Sequence, residues 1–456
     1  MHLTDKESKK NIDQIVWPTI IFLCLFVSYY FYHQKIQNIS SDVTTMFPLL
    51  RDWLSGNILL QDWIVGTNSF FFTDTIWCIP GELIGLEPAQ TMSWAGALFH
   101  AGFVSLTFYI FLVTKEPLDN ESKITRAIYC VSYVLIAATV PGSALYVYLN
   151  LNGHAGAFFV IAIEFLVLHI WSNSRSEKIL WLVIYTVFGA LIEASDGVSL
   201  MILFGPACVY SIYYLIWPKV EKNRNKYLSL LISNIAVIVG GTLFNLLIES
   251  LGGLTVRGIS MELLSSSEAV DRVWPFIEQI YSLFGFYVSM WQTNFLYALL
   301  VHCILLLIVF SVIWQLFKAI SGKPDSKGLL LSIAILANTA GCLFTGVAVV
   351  ARYILTIPFF GVVLIFRTFR EARASCKCCS KGEKAERFTS VVMACLAFFF
   401  FAANFNTAST TNQNSLDAEE MANYIEERNL GNGYGDFWTA SLVSSYTDFD
   451  DLVIQV

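Results

Sequence analysis

The chain has 456 residues, 56% of them hydrophobic and 14% charged, with a mean hydropathy of +0.60 and a formal net charge of −7. Soluble domains carry about 25% charged and about 45–50% apolar residues, so this composition excludes an ordinary soluble globule. The placement of charge matters more here than its total, and no nucleic-acid partner is expected.

Lys6, Lys9 and Lys10 precede an apolar run, Ile15–Tyr32, that is too long for the core of a cleavable signal and has no small-residue cleavage site after it. The first span is therefore expected to remain as an anchor. Further uncharged runs such as Ala127–Val140, Leu230–Leu247 and Val301–Phe317 approach the ~20 residues that cross a ~30 Å hydrocarbon core. About eleven spans are predicted, centred near Leu25, Ser105, Val134, Glu164, Tyr185, Phe204, Val237, Leu305, Asn338, Pro358 and Leu396.

Alternate connections then differ in basic residues. Of the 28 Lys and Arg, all but Lys35, Arg51, Arg257, Arg272, Arg352 and Arg428 fall on the side that holds the N-terminus. The positive-inside rule puts that side in the cytoplasm and the C-terminal tail outside. The inner connections are short and basic, which suits contact with anionic lipid. The outer face receives two long connections, about 34–90 and 250–288, with short turns near 141–156, 193–197 and 351–352, and the tail.

The first outer connection carries Asp42, Asp52, Asp62 and Asp74. Phe47, Leu50 and Leu54 recur at helical spacing after the start signal of Pro48, and Gly56–Asn57 is a stop. This predicts a short amphipathic helix in the headgroup plane, with Trp53, Trp63, Trp77 and Phe70–Phe72 as an interfacial aromatic belt. Met261–Tyr281 in the second long connection has similar character. From Asn404 the chain turns polar. SLDAEEMANYIEERNL reads as a helix, and Trp438–Ser444 and Leu452–Val456 as short strands, giving a small outer α/β appendage over 405–456 beyond a transmembrane domain over 1–404. The predicted class is an all-α polytopic membrane protein with that appendage.

Six cysteines (Cys24, Cys130, Cys208, Cys303, Cys342, Cys395) lie in apolar runs and read as small hydrophobes. Cys376, Cys378 and Cys379 lie in a basic inner loop and lack a fourth metal ligand nearby; reduced thiols are expected.

Asp42 follows the first span closely, so it either caps a following helix or accepts a proton from an acceptor hydroxyl at the lipid–water boundary. Asp74, in FFFTDT, is a solvated loop carboxylate or a ligand for a hydroxyl or cation. Arg352, in VVARYILTIPFF, snorkels to headgroups or grips phosphate oxygens with its planar fork. The compact turns LNLNGHAG and LIEASDG supply His154, Glu193, Ser195 and Asp196. Glu164 falls inside a span, where an ionisable group is costly. Two or more of the carboxylates could share a divalent cation, magnesium or manganese, although their spacing is too loose for a metal motif.

The fragments SDVTTMFPLLRDWLSGNILLQDW, EASDGVSLMILFGP, ARYILTIPFF and NLGNGYGDFWTASLVSS together resemble the GT-C superfamily of membrane glycosyltransferases. The resemblance implies a sugar donor carried on a polyprenyl phosphate, embedded among membrane lipids, and transfer to a glycan, lipid or protein acceptor at the outer face. It implies a bacterial plasma membrane as the setting, Asp42 as general base or acceptor-positioning group and Arg352 as phosphate ligand, with Asp74 and Asp196 as weaker correspondences; His154, from its own outer turn, is a further substrate-binding candidate. The chain departs from the family pattern in lacking an adjacent acidic pair after the first span. A transporter or flippase is the rival from another class; it predicts ionisable residues along the bundle interior, and Glu164 is the one that fits.

Overall fold

A computed structural model of the chain describes residues 5–36, 44–66, 68–113, 154–174, 178–217, 224–257, 262–285, 295–375, 413–435, 443–447 and 453–455. These residues are overwhelmingly helical. Six helices are long and apolar enough to cross a bilayer, as expected of an all-α membrane protein, and three shorter apolar helices accompany them, Val16–Phe31, Leu200–Ile216 and Thr356–Phe369. Nine of the predicted span centres fall in these nine helices; the two near Val134 and Leu396 lie outside the described residues.

The principal helices are α1 (Asp5–Ile36), α2 (Met46–Leu54), α3 (Pro88–Phe108), α4 (Ala155–Asn173), α5 (Lys178–Ser195), α6 (Gly205–Ile216), α7 (Arg224–Ser250), α8 (Val273–Leu283), α9 (Phe295–Ile320), α10 (Ser326–Phe344), α11 (Thr356–Ser375) and α12 (Gln413–Arg428). Neighbours pack in the order α1, α3, α4, α5, α7, α6, α10, α11, α9. The apolar stretch of α3 is 83% buried and that of α7 only 22%, so α3 is central and α7 peripheral. Peripheral helices are apolar all round but bury one stripe. On α1, Ile21, Leu25 and Tyr29 are buried at four-residue intervals while Leu23, Val27 and Phe31 are exposed. That division suits a helix with protein on one side and acyl chains on the other.

Polar ties inside the bundle are few and specific. Tyr185 on α5 donates to Asn234 Oδ1 on α7 at 2.7 Å. At the opposite end of the bundle from the aspartate turn described below, Arg367 of α11 grips Asp325, the N-cap of α10, through two 2.6 Å hydrogen bonds, and also donates to the Phe111 carbonyl. Phe111 lies in the π turn Tyr109–Val113 that continues α3, so the guanidinium satisfies a backbone group that the wider turn leaves over.

The two long connections meet each other. Strands β1 (Ile64–Val65) and β2 (Thr255–Val256) pair in parallel, Ile64 opposite Thr255. Asp52 steadies the first connection by accepting from Trp63 Nε1 at 2.7 Å and Asn57 Nδ2 at 2.6 Å. In the second, Arg272 joins the short helix Ser266–Asp271 to α8 and donates to the carbonyls of Cys342 in the last turn of α10 and of Thr345 and Val347 just beyond it.

Two expectations need correcting. Helix α2 ends where predicted, with Gly56 at φ +114°, but Met46, Phe47, Leu49 and Leu50 are buried against protein. Its apolar face thus supplies core rather than lying open to headgroups. In the tail, α12 matches its predicted position and Val453–Gln455 is a strand, β4. Its parallel partner, however, is β3 (Gly433–Gly435), and Val443 and Ser444 are helical. The glycines that read as an interruption form the strand because a ladder needs only backbone. Among the predicted membrane cysteines, Cys24, Cys208, Cys303 and Cys342 are free thiols; the Cys376–Cys379 group lies outside the described residues.

Candidate functional site

The last residue of α5 organises this region. Ser195 accepts the N–H groups of Phe72 at 2.9 Å and Thr73 at 3.3 Å on its hydroxyl, and that of Phe70 at 3.1 Å on its carbonyl. Asn68 Oδ1 takes the Gly197 N–H. The segment FFFTDT is thereby bound to the end of α5. Asp74 is then carried to the start of α4, where its Oδ1 accepts the Gly156 N–H at 3.0 Å. A helix start leaves such donors unpaired, and here a residue far away in sequence caps them.

Gly156 is required by that approach. A Cβ there would lie 2.0 Å from the Thr73 carbonyl oxygen and 2.7 Å from Asp74 Cγ.

His154, at the N-cap of α4, has φ +65°, and Phe70 facing it has φ +51°. Left-handed backbone at residues other than glycine costs of order 1–3 kcal/mol each and persists where the surroundings hold it. Here the surroundings are dense. The His154 Nδ1 lies 2.6 Å from Asp196 Oδ2 and hydrogen-bonds to it, with Phe70 and Tyr353 rings at 5.3 and 4.8 Å. Asp196 Oδ1 also accepts the Val198 N–H, and Ser199 donates to Glu193. The Arg352 guanidinium stands 5.4 Å from the Tyr353 ring centroid, within cation–π range. The Tyr353 carbonyl is pinned by Asn338 Nδ2 at 2.6 Å, and Asn338 Oδ1 accepts from Thr356 at 2.7 Å.

Asp74, His154 and Asp196 are buried, and Arg352 is partly exposed. Burial raises the Asp74 carboxyl from 3.8 to about 7; Thr73 and the Gly156 N–H pull it down, while nearby Asp196 pushes it up. Among the described residues, no well-formed hydrogen bond reaches Asp74 Oδ2. Burial likewise drives up the Cys78 thiol, which Asp74 and Glu82 reinforce, so it is no nucleophile at neutral pH. The Tyr353 hydroxyl is also raised, chiefly by burial, with Arg352 opposing.

Of the residues singled out from sequence, Asp74, His154 and Asp196 thus lie in one network, and Arg352 joins it through Tyr353. Asp42 lies outside the described residues. Asp52 is occupied with Trp63 and Asn57, away from this network. Among the described residues, no three His, Cys, Asp or Glu side chains converge as metal ligands, so a divalent cation here needs ligands beyond them. Ser195 was noted in its turn without a role, and Gly156 and Tyr353 were not legible as parts of the site. The only signal was that a Ser-Asp pair and a His-x-Gly turn each abut an apolar run.

Glu164 sits apart, buried within α4, and neither of its carboxyl oxygens has a hydrogen-bond partner among the described residues. No protein-family model matches this chain, and no curated protein matches it significantly.

Proposed function

We propose that this protein is a membrane glycosyltransferase of the GT-C type, moving a sugar from a polyprenyl-phosphate donor to a glycan, lipid or protein acceptor at the outer face of a bacterial plasma membrane. The observation that carries this reading is convergence: the FFFTDT turn, the start of α4, the turn after α5 and the Arg352–Tyr353 turn come together at one end of the bundle. These are the turns that the charge pattern assigns to the outside.

In this reading Arg352 binds the donor phosphate, for which a guanidinium fork is suited. Asp42 accepts the proton of the acceptor hydroxyl. That oxygen bonds to the anomeric carbon, the bond from that carbon to the phosphate oxygen breaks, and polyprenyl phosphate leaves with its charge held by Arg352. The buried Asp74–Gly156 and His154–Asp196 contacts hold Tyr353, and so Arg352, in place. Asp74 and Asp196 are positioning residues here. Keeping both substrates in one membrane plane supplies orientation. The test is transfer from radiolabelled polyprenyl-phosphate sugars by wild type and Asp42→Asn. Transfer abolished by the substitution is expected; equal transfer removes Asp42 from the mechanism, and no transfer from any of a panel of donors overturns the reading.

Glu164 favours a second reading, transport of a lipid-linked or small substrate, since a carboxyl inside a span without a partner among the described residues is a functional signal. Substrate movement across proteoliposomes that is lost in Glu164→Gln, without group transfer, would establish it.

A further inference from the structure

The far end of α5 from Asp196 opens on a different feature. The helix is 18 residues long, so about 27 Å separates its two ends at 1.5 Å per residue. Where the end of α4 meets the beginnings of α5 and α7 there is a cavity of about 230 Å³. Trp171 and Ser172 of α4, Lys178, Ile179 and Leu182 of α5, and Asn225, Lys226 and Ser229 of α7 line it.

The lining is divided by chemistry. Lys226 Nζ donates to Ser172 Oγ at 3.1 Å and lies 5.8 Å from the Trp171 ring centroid, so its charge is held at the wall beside a buried indole. Lys178 stands exposed at the rim. Hydroxyl and amide donors from Ser172, Ser229 and Asn225 complete the polar half, and no carboxylate is among the described residues that line it. The other half is Ile179 and Leu182, and Ile179 is 80% exposed on the outward face of α5. Two ammonium groups with neutral donors fit a phosphodiester. An adjoining apolar face on a peripheral helix fits acyl chains.

We infer that this cavity is a binding site for an anionic glycerophospholipid, with its phosphodiester between Lys178 and Lys226 and its acyl chains along Ile179 and Leu182. A zwitterionic lipid brings the same phosphate with a cationic headgroup that two lysines repel. The charge pattern puts the site in the inner leaflet, where anionic lipids attract basic residues at ~1 kcal/mol each. It is independent of the glycosyl-transfer reading and rests only on α4, α5 and α7 lying in a bilayer.

The experiment is native mass spectrometry of the full chain released from mixed micelles holding equal amounts of phosphatidylglycerol and phosphatidylcholine with identical acyl chains. Wild type is expected to retain the anionic lipid roughly tenfold over the zwitterionic one, the ratio that 1.4 kcal/mol gives. K178Q/K226Q abolishes the preference, the single rim variant K178Q reduces it, and K323Q, which does not line the cavity, leaves it intact. Inorganic phosphate and glycerophosphate are added as competitors. Displacement of the lipid by either at millimolar concentration would mean a free-phosphate site and overturn the lipid assignment. Equal retention of the two lipids by wild type, or an unchanged ratio in K178Q, also overturns it, and neither depends on how the double variant folds.

Discussion

His154 and Asp196, 42 residues apart in sequence, meet at 2.6 Å with both side chains closed to solvent. Removing one partner of such a pair leaves the other buried and unmatched, which costs about 3–5 kcal/mol where the pair is ionic. His154→Ala is therefore expected to lower the thermal unfolding midpoint of the solubilised protein markedly. His154→Ala/Asp196→Ala together should lose less than the sum of the single changes. Strict additivity in the cycle would mean that the contact contributes nothing.

Gly156→Ala drives a methyl group into the Thr73 carbonyl and the Asp74 carboxyl. Overpacking of this kind typically costs 1–3 kcal/mol, and here it also separates Asp74 from the α4 N–H it caps. Gly66→Ala, where a Cβ meets nothing within 4 Å, is the matched control and should be silent. Equal unfolding midpoints for the two variants would show that the Asp74 turn yields without loss.

Asp74 gives a pH dependence of defined sign. Its folded carboxyl titrates near 7 against 3.8 for the free group. Between those values the folded state binds the proton more tightly than the unfolded state does, so Asp74 lowers stability as pH rises through that window and no further above it. Asp74→Asn should flatten that part of the midpoint-against-pH curve. A slope identical to wild type would mean that the carboxyl is not buried as described.

At the other end of the bundle, burial alone would push the Asp325 carboxyl up, but Arg367 outweighs it and holds the carboxyl below its ordinary value. This contact stabilises above the unfolded value of 3.8 and is lost as pH falls through the depressed folded one. Arg367→Ala removes the partner and a donor to the Phe111 carbonyl, and about 3–5 kcal/mol of loss is expected. Arg367→Lys should recover only part, because an ammonium cannot form both 2.6 Å hydrogen bonds to Asp325. Full recovery by lysine would show that charge alone matters.

For the proposed transfer, Arg352→Ala should raise the donor concentration needed for half-maximal rate about tenfold, some 1.4 kcal/mol, with Arg352→Lys intermediate. An unchanged apparent donor affinity removes Arg352 from phosphate binding.

The helices were readable because bilayer spans announce themselves by length and by the absence of charge; Leu25, Ser105, Tyr185 and Asn338 each mark a helix that is present. The helical start and stop at Pro48 and Gly56 were local and therefore visible too. What could not be read was partnership. FFFTDT looks like any loop carboxylate until Ser195 holds it, and Phe70 carries no sign of its left-handed backbone. Asp325 and Arg367 are each ordinary inner-face charges in sequence, and only packing makes them a buried pair. The direction of α2's apolar face likewise depended on whether protein or lipid lay beneath it.

The parallel pairing of Ile64 with Thr255 bears on biogenesis. A ribosome delivering this chain exposes residue 64 long before residue 255 exists, and several hydrophobic helices must be inserted in the interval. The Ile64–Val65 strand of the first connection therefore waits unpaired in that interval, and bridging so long a span of chain is slow and entropically unfavourable until packing has brought the ends close. The latch between the two connections is consequently a late event of assembly, and a chain stalled before it is made would already hold its aspartate turn through Ser195 and Gly156 while the Ile64–Val65 strand still lacked its partner.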